Sequence, residues 1–284
     1  ELGNTYNHLN RYQDAIEPLN QAIRIDSQYA LAYLAQGLAK TKLEQYDQAI
    51  PQLNKAVNLN SDLFEAHSPL GLSLMKVGRF EEATVSLDKV KTDDPNYPDA
   101  QSNLGRMLWK LKQYPRAITA LRKSIKVRPD FTTAYVNLGS IYTTLGNNSQ
   151  AIHYFKEAIE SNPKNHEAHY KLGLVYEIVG RYQDAIDEYH AVIRLNPDTP
   201  DIYYSLSWAL IESRRYIEAL APLKNAIRLN PEDANAYYSL GWVYGELKRH
   251  EEAISILKKV LRLDSNHLGA RARLIAMQNH LREI

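Results

Sequence analysis

Cysteine is absent from the sequence, which excludes disulfide bonds, thiolate metal sites and cysteine nucleophiles. Its absence is compatible with a reducing compartment such as the cytoplasm. An excess of one charge is also absent, because 34 lysine and arginine residues balance 33 aspartate and glutamate residues. This balance gives no support to nucleic-acid binding through phosphate neutralisation. No apolar run approaches the roughly 20 residues that span a bilayer, so we expect no membrane insertion.

Motifs that carry chemistry are equally scarce. The sequence has no glycine-rich phosphate-binding loop and no G-x-S-x-G nucleophile motif. His166 and His169 flank a glutamate but lie three residues apart, whereas the zinc-protease motif needs a spacing of four to put both imidazoles on one helix face. We therefore predict that His169 packs in the core. The sequence predicts a protein that is not an enzyme, with no catalytic residue, no metal site and no cofactor.

The chain is built from a repeat of 34 residues, seen most clearly over 132–165. Apolar and small residues recur at helical spacing over 135–145 and again over 151–159, which predicts two helices. Gly146 follows the first run, where a helix end favours positive φ. Pro163 ends the second run, because proline cannot continue a helix. Each repeat is therefore predicted to be a helix, a tight turn, a second helix and a stop.

The small residues keep the same place in every repeat when Thr132 is counted as place 1. Place 20 is Ala15, Ala49, Ala83, Ala117, Ala151, Ala185, Ala219 and Ala253. Place 8 is Gly3, Gly37, Gly71, Gly105, Gly139, Gly173, Ser207 and Gly241. Glycine inside a helix costs about 1 kcal/mol relative to alanine. Its recurrence predicts that two helix backbones approach closely at this place.

This pattern resembles the tetratricopeptide repeat (TPR), whose motif is W-x2-L-G-x2-Y followed by alanine, an aromatic residue, alanine and proline. The matching residues of 132–165 are Tyr135, Leu138, Gly139, Tyr142, Ala151, Phe155, Ala158 and Pro163. The resemblance covers essentially the whole chain. It implies an all-α fold, an α-solenoid in which antiparallel helix pairs stack into a right-handed superhelix.

The phase of the repeats predicts a single TPR solenoid over 1–284. We expect a partial repeat at 1–29, full repeats at 30–63, 64–97, 98–131, 132–165, 166–199, 200–233 and 234–267, and a C-terminal capping helix at 268–284. The chain starts at place 6 of a repeat, which predicts further sequence before it and an apolar N-terminal edge.

Three local features are also predicted. Ser149 precedes the second helix of its repeat and is expected to cap it. Pro69 lies inside a first helix and predicts a slight irregularity. In the capping helix, the residues expected to face inward are Leu268, Leu274, Ile275 and Leu281, and those expected to face water are Arg271, Arg273, Arg282 and Glu283.

The resemblance also implies that first helices line a concave face, with places 2, 5, 6, 9, 12 and 13 pointing into it. The candidate peptide-binding residues at these places are Asn103, Arg106, Trp109, Asn137, Tyr170, Lys171, Glu177, Tyr204, Trp208, Glu212, Tyr238, Trp242 and Glu246. They become more aromatic and acidic toward the C-terminus.

Two pairs stand out among these residues. Tyr204 with Trp208, and Tyr238 with Trp242, are spaced i, i+4, so each pair shares a helix face. For the tryptophans we predict ligand contact, because exposed aromatic patches mark interaction sites. For the place-5 tyrosines, both packing and ligand contact stay open. The nearby glutamates predict a ligand with basic and apolar character.

Together, these observations predict a non-catalytic scaffold that binds a peptide or partner protein in the concave groove. A first alternative is the substrate-recognition arm of a larger enzyme whose catalytic domain is absent from this sequence. A second alternative is a scaffold that self-associates through its N-terminal edge or its groove. No nucleic-acid partner is expected.

Overall fold

A computed structural model of the chain describes residues 1–280, apart from the side chains of Pro200, Asn279 and His280. This part of the chain forms seventeen α-helices and no strand. The helices are α1 Leu2–His8, α2 Tyr12–Ile25, α3 Ala30–Lys42, α4 Tyr46–Leu59, α5 His67–Lys76, α6 Phe80–Asp88, α7 Tyr97–Lys110, α8 Tyr114–Val127, α9 Thr132–Thr144, α10 Asn148–Ser161, α11 His166–Ile178, α12 Tyr182–Leu195, α13 Pro200–Glu212, α14 Tyr216–Leu229, α15 Ala234–Glu246, α16 His250–Leu263 and α17 Leu268–His280. None of these described helices is long and apolar enough to cross a bilayer.

The helices fall into two compact units, which we call the N-terminal unit (residues 1–141) and the C-terminal unit (residue 142 onward). Within each unit, a first helix packs on the second helix of its own repeat, and that second helix packs on the next first helix. Buried apolar surface therefore accumulates from neighbour to neighbour rather than in one large core. The prediction of an all-α solenoid is confirmed.

The tight turn between paired helices holds one residue in the left-handed region. This residue is at place 15, where Gly78, Gly146 and Gly180 have φ between 70° and 83°. The same place in other repeats is not glycine, yet Asn10, Glu44, Lys112, Arg214 and Lys248 have φ of 58° or 59°. The prediction for Gly146 is confirmed. The geometry belongs to the turn, and glycine only lowers its conformational cost.

The small residues of place 8 and place 20 lie where paired helices come closest. In the repeat 98–131, a Cβ added to Gly105 would lie 2.5 Å from Cγ of Leu121, which is fully buried. Gly3, Gly37 and Gly71 meet the leucine of place 24 at the same distance, and Gly173 meets Tyr189. This contact explains the recurrence of glycine. Ser207, which replaces glycine in its repeat, is buried and donates its hydroxyl to the carbonyl of Tyr204.

The repeat 64–97 departs from the others. Its first helix opens with a 3₁₀ turn, Phe64–Ala66, before α5 begins. This confirms the irregularity expected from Pro69, which has no N–H to donate to the preceding turn. Its second helix, α6, has 9 residues, whereas the second helices of the other full repeats have 14. A loop over 89–96 follows α6.

The prediction that Ser149 caps α10 is wrong. The N-cap is Asn147, whose Oδ1 accepts a hydrogen bond from the backbone N–H of Gln150 at 3.2 Å. Asn165 caps α11 in the same way, and Asp233 caps α15. The helix starts earlier than the apolar pattern indicated, so the capping position moves with it.

The predicted inward face of α17 is also partly wrong. Leu268 and Ile275 are exposed, whereas Ala270 and Met277 are buried. Ala270, Arg273 and Met277 follow one another at helical spacing and share the buried face. Arg273 is therefore half-buried instead of facing water. Leu281, Arg282 and Glu283 lie outside the described residues.

Candidate binding surfaces

Nine of the candidate residues belong to the first helices of the C-terminal unit, on α11, α13 and α15. Helix α11 touches α13 directly, and α15 touches α17. We call the surface formed by the candidate residues of α11, α13 and α15 the first-helix face. On it, Trp208 of α13 stands out, because 45% of its surface is exposed to solvent. An indole left this open is apolar area available to a partner.

Trp242, at the same place of the next repeat, is covered by its neighbours. The ring of Tyr216 meets it edge-on, with centroids 5.6 Å apart and an angle of 80°. The guanidinium carbon of Arg273 lies 5.2 Å from the indole centroid, and Arg273 Nη2 pairs with Glu246 at 2.5 Å. Trp242 and Glu246 are therefore part of the junction between α15 and α17. Arg273 was expected to face water, and its spacing of three from the small Ala270 was the available signal of its contact with α15.

The place-5 tyrosines are all half-buried. The ring of Tyr238 lies 4.6 Å from that of His267, and the ring of Tyr170 lies 6.1 Å from that of the buried Tyr189. These contacts supply a packing role for both side chains. The backbone carbonyl of Tyr204 accepts the hydroxyl of Ser207.

The charged candidates of the first-helix face differ in their surroundings. Lys171 pairs with Glu167 on the same helix at 3.6 Å. Glu212 is exposed. Glu177 is half-buried, and its Oε1 is closed to solvent. Burial raises the pKa of Glu177, the hydroxyl of Tyr189 lowers it, and the charge of Glu212 raises it again.

Four candidates lie in the N-terminal unit. Arg106 of α7 donates from Nη2 to Asn103 Oδ1 at 3.3 Å and to the sulfur of Met75 on α5 at 3.2 Å. Trp109 and Asn137 are half-buried. Arg106 thus connects two neighbouring first helices. This contact gives a structural role to a residue that was predicted to contact a ligand.

His169 has the packed position that was predicted for it. Its side chain is 12% exposed and pairs through Nδ1 with Glu188 of α12 at 2.5 Å. This pair raises the pKa of His169, against the opposing effect of burial. Among residues 1–280, no group of three or more histidine and acidic side chains is placed to hold a metal ion.

The sequence is similar to known families of repeat proteins. It matches the model of the C-terminal ARM domain of tetratricopeptide repeat protein 21 over residues 78–235. Models of the tetratricopeptide repeat match residues 3–43, 37–78 and 204–267. Together these matches run without a gap from residue 3 to residue 267. No curated protein matches the sequence at a significant level.

Solved structures share the fold. The C-terminal part of a TPR repeat-containing protein from Cytophaga hutchinsonii superposes with a TM-score of 0.75 at 17% identity, covering 84% of this chain and 98% of that one. YrrB, described as a TPR protein with an unusual peptide-binding site, gives a TM-score of 0.60 at 20% identity and covers 66% and 96%. MamA gives 0.54 at 27% identity and covers 61% and 94%.

Proposed function

The chain belongs to the tetratricopeptide-repeat family, and on this premise we propose that it is a non-catalytic scaffold that binds a peptide segment of a partner protein. The peptide lies on the first-helix face of the C-terminal unit, with Trp208 as its anchor. The precedent in the fold is YrrB, a TPR protein that carries a peptide-binding site. At 20% identity, that precedent supports the type of function and not the residues.

The observation that carries this proposal is the exposure of Trp208. This unit has two place-9 tryptophans. Tyr216 and Arg273 cover Trp242, whereas Trp208 is 45% exposed. A large aromatic side chain that a partner buries fully is the usual centre of a protein interface, and its truncation costs about 2 kcal/mol or more of binding energy.

Charge defines the second property of the peptide. Glu246 is already neutralised by Arg273, and Lys171 by Glu167. Glu212 is exposed on α13, and its charge acts on the half-buried Glu177 of α11, which leaves acidic side chains on both helices. A peptide with an aliphatic or aromatic residue followed by lysine or arginine matches this surface, since opposite charges at an interface set specificity and association rate.

Selection from a displayed library of random twelve-residue peptides tests the proposal. We expect the wild-type protein to enrich peptides that combine apolar and basic residues. Trp208→Ala should reduce their affinity by about tenfold or more. Ile217→Ala is the matched control, because Ile217 on the second helix α14 is 74% exposed and lies outside the first-helix face. Undiminished binding by Trp208→Ala would exclude this surface.

A second candidate function is self-association through the end of the N-terminal unit formed by α1, α2 and the start of α3. Leu2, Ile25 and Leu31 are exposed there, and contiguous apolar surface favours association. Sedimentation equilibrium distinguishes it from the first proposal. A dimer that Ile25→Lys dissociates would support self-association, whereas a wild-type monomer at the highest soluble concentration would exclude it.

A further inference from the structure

A second site is suggested by one residue of α7, Gln101. Place 4 carries a large ring in the other full repeats, namely Tyr33, His67, Tyr135, His169, Tyr203 and Tyr237. Gln101 occupies this place with a smaller side chain that is only 2% exposed, and its Oε1 has no hydrogen-bond partner. An unsatisfied polar group in a buried position destabilises the fold, because it has lost its hydrogen bonds to water. A bound group that donates a hydrogen bond would remove this cost.

Gln101 lines an open pocket of about 280 Å³ between α6, α7 and α8. The apolar part of the pocket is formed by Leu104 and Leu108 of α7 and by Ala120 of α8. A second cavity of about 590 Å³ adjoins it and is also lined by Gln101. This second cavity is bordered by the loop that follows α6, where the other full repeats continue their helix for five more residues. The loop that follows α6 and the side chain of Gln101 therefore border the same region.

The charges on the two walls of the pocket are of opposite sign. Arg116 and Lys123 stand on α8, and Asp88 stands at the end of α6. The adjoining cavity adds Lys89 and Lys91 as cations and Asp93 as an anion, so positive charge exceeds negative charge around Gln101. A carboxylate fits against the cations of α8. Backbone N–H groups fit against Asp88, whereas Gln101 Oε1 is closed to solvent and would have to change rotamer to accept a hydrogen bond from a ligand.

The preceding repeat contains an equivalent pocket. It has a volume of about 300 Å³ and is lined by the buried His67 at place 4 and by Lys89 at place 26. In the pocket of Gln101, the residue at place 26 is Lys123. Oγ of Ser86 lies 3.4 Å from Nδ1 of His67, so the floor of this pocket is polar as well. Two neighbouring repeats thus offer the same combination of a polar floor, apolar leucines and a lysine at the rim.

We propose that this surface of the N-terminal unit, formed by α4 to α8, is a docking site for an acidic peptide segment. A glutamate side chain enters the pocket of Gln101, with its methylene groups on Leu104 and Leu108 and its carboxylate against Arg116 and Lys123. Peptide backbone N–H groups meet Gln101 and Asp88. The site shares no residue with the first-helix face, so the two proposals stand or fall separately.

Fluorescence polarisation with a labelled, acetylated and amidated hexaglutamate tests this site. The wild-type protein should bind the probe saturably, more weakly as salt increases, and should not bind hexalysine. Gln101→Tyr introduces the side chain found at place 4 in four other repeats and removes the amide that lines the pocket. It should keep the wild-type melting temperature or raise it, and weaken hexaglutamate binding by about tenfold or more.

Two further variants keep the test independent of folding. Arg116→Gln combined with Lys123→Gln removes only surface charge and should weaken binding by about tenfold. Lys259→Gln changes the same place in the last full repeat, where Lys259 lies near the ring of Tyr237, and should bind as the wild type does. The proposal is overturned if the wild type does not bind hexaglutamate, if either pocket variant binds it normally while folded, or if free glutamate binds and the peptide does not.

Discussion

Arg273 of α17 covers Trp242 of α15 and at the same time pairs with Glu246 on that helix. A guanidinium over an indole contributes about 0.5–1 kcal/mol at an exposed site and about 2 when desolvated. This one side chain therefore holds the last described helix and removes a tryptophan from the surface that a partner can reach.

Replacement of Arg273 by alanine is expected to lower the free energy of unfolding by about 1–2 kcal/mol, because the cation–π contact and the ion pair are lost together. The emission of Trp242 should shift to longer wavelength as the indole becomes wet. The measurement is best made with Trp109 and Trp208 replaced by phenylalanine, since the sequence has three tryptophans. Arg271→Ala on the exposed side of α17 is the control, with an expected change below about 0.5 kcal/mol.

The left-handed turn residues predict a stabilising substitution. Lys248 has φ of 59°, a conformation that carries a steric cost for any residue with a Cβ. Lys248→Gly should raise the free energy of unfolding by about 0.5–1 kcal/mol. Gly180→Ala makes the reverse change at the same place, where φ is 73°, and should lower stability by about 1 kcal/mol. Urea unfolding of both variants measures the effect. A change in the free energy of unfolding with the same sign in both variants would contradict the left-handed conformation assigned to this place.

The close helix contact at place 8 predicts unequal effects of one substitution. A Cβ on Gly105 would lie 2.5 Å from Leu121 Cγ and 3.1 Å from the carbonyl oxygen of Ala117. A Cβ on Gly241 would lie 3.1 Å from the nearest atoms of Leu257. In both variants alanine gains helix propensity, and this gain opposes the cost of the new contact. We expect Gly105→Ala to lower the free energy of unfolding by a net amount of about 1–2 kcal/mol, and Gly241→Ala to be nearly neutral. Thermal unfolding compares them directly.

The half-buried pair of His169 and Glu188 predicts a pH dependence of stability. The pKa of His169 is raised by its bond to Glu188, so the folded state binds the proton more tightly than the unfolded chain. The pair therefore stabilises fully below the ordinary histidine pKa of about 6.5, and this stabilisation disappears as pH rises through the raised folded value.

Glu188→Gln should consequently lose about 1–2 kcal/mol of stability relative to the wild type at low pH and much less in alkaline solution. Unfolding measured at a pH near 5.5 and a pH near 8.5 gives the comparison. A difference between the two proteins that is the same at both pH values would show that His169 stays neutral in the folded state.

The periodic features of the fold were accessible from the sequence. Alanine at place 20 and glycine at place 8 located the helix contact, and Gly146 located the left-handed turn, which Lys112 and Lys248 also adopt without any glycine. Capping was less predictable, since Asn147 replaced Ser149 when the helix began earlier than its apolar pattern. The face of α17 was misjudged because its apolar residues occupy two stripes and only the stripe of Ala270 and Met277 is buried.

The sequence by itself determined the length of the repeat, the two helices in each repeat and the places where neighbouring helices touch. These properties follow from local spacing, because each repeat packs only on its neighbours. Tertiary structure alone decided which surface residues remain open. Trp208 and Trp242 occupy the same place, yet only Trp242 is covered by Arg273 and Tyr216. Gln101 lines a pocket between α6, α7 and α8. Exposure depends on what the adjacent helix presents, and no spacing within one repeat contains that information.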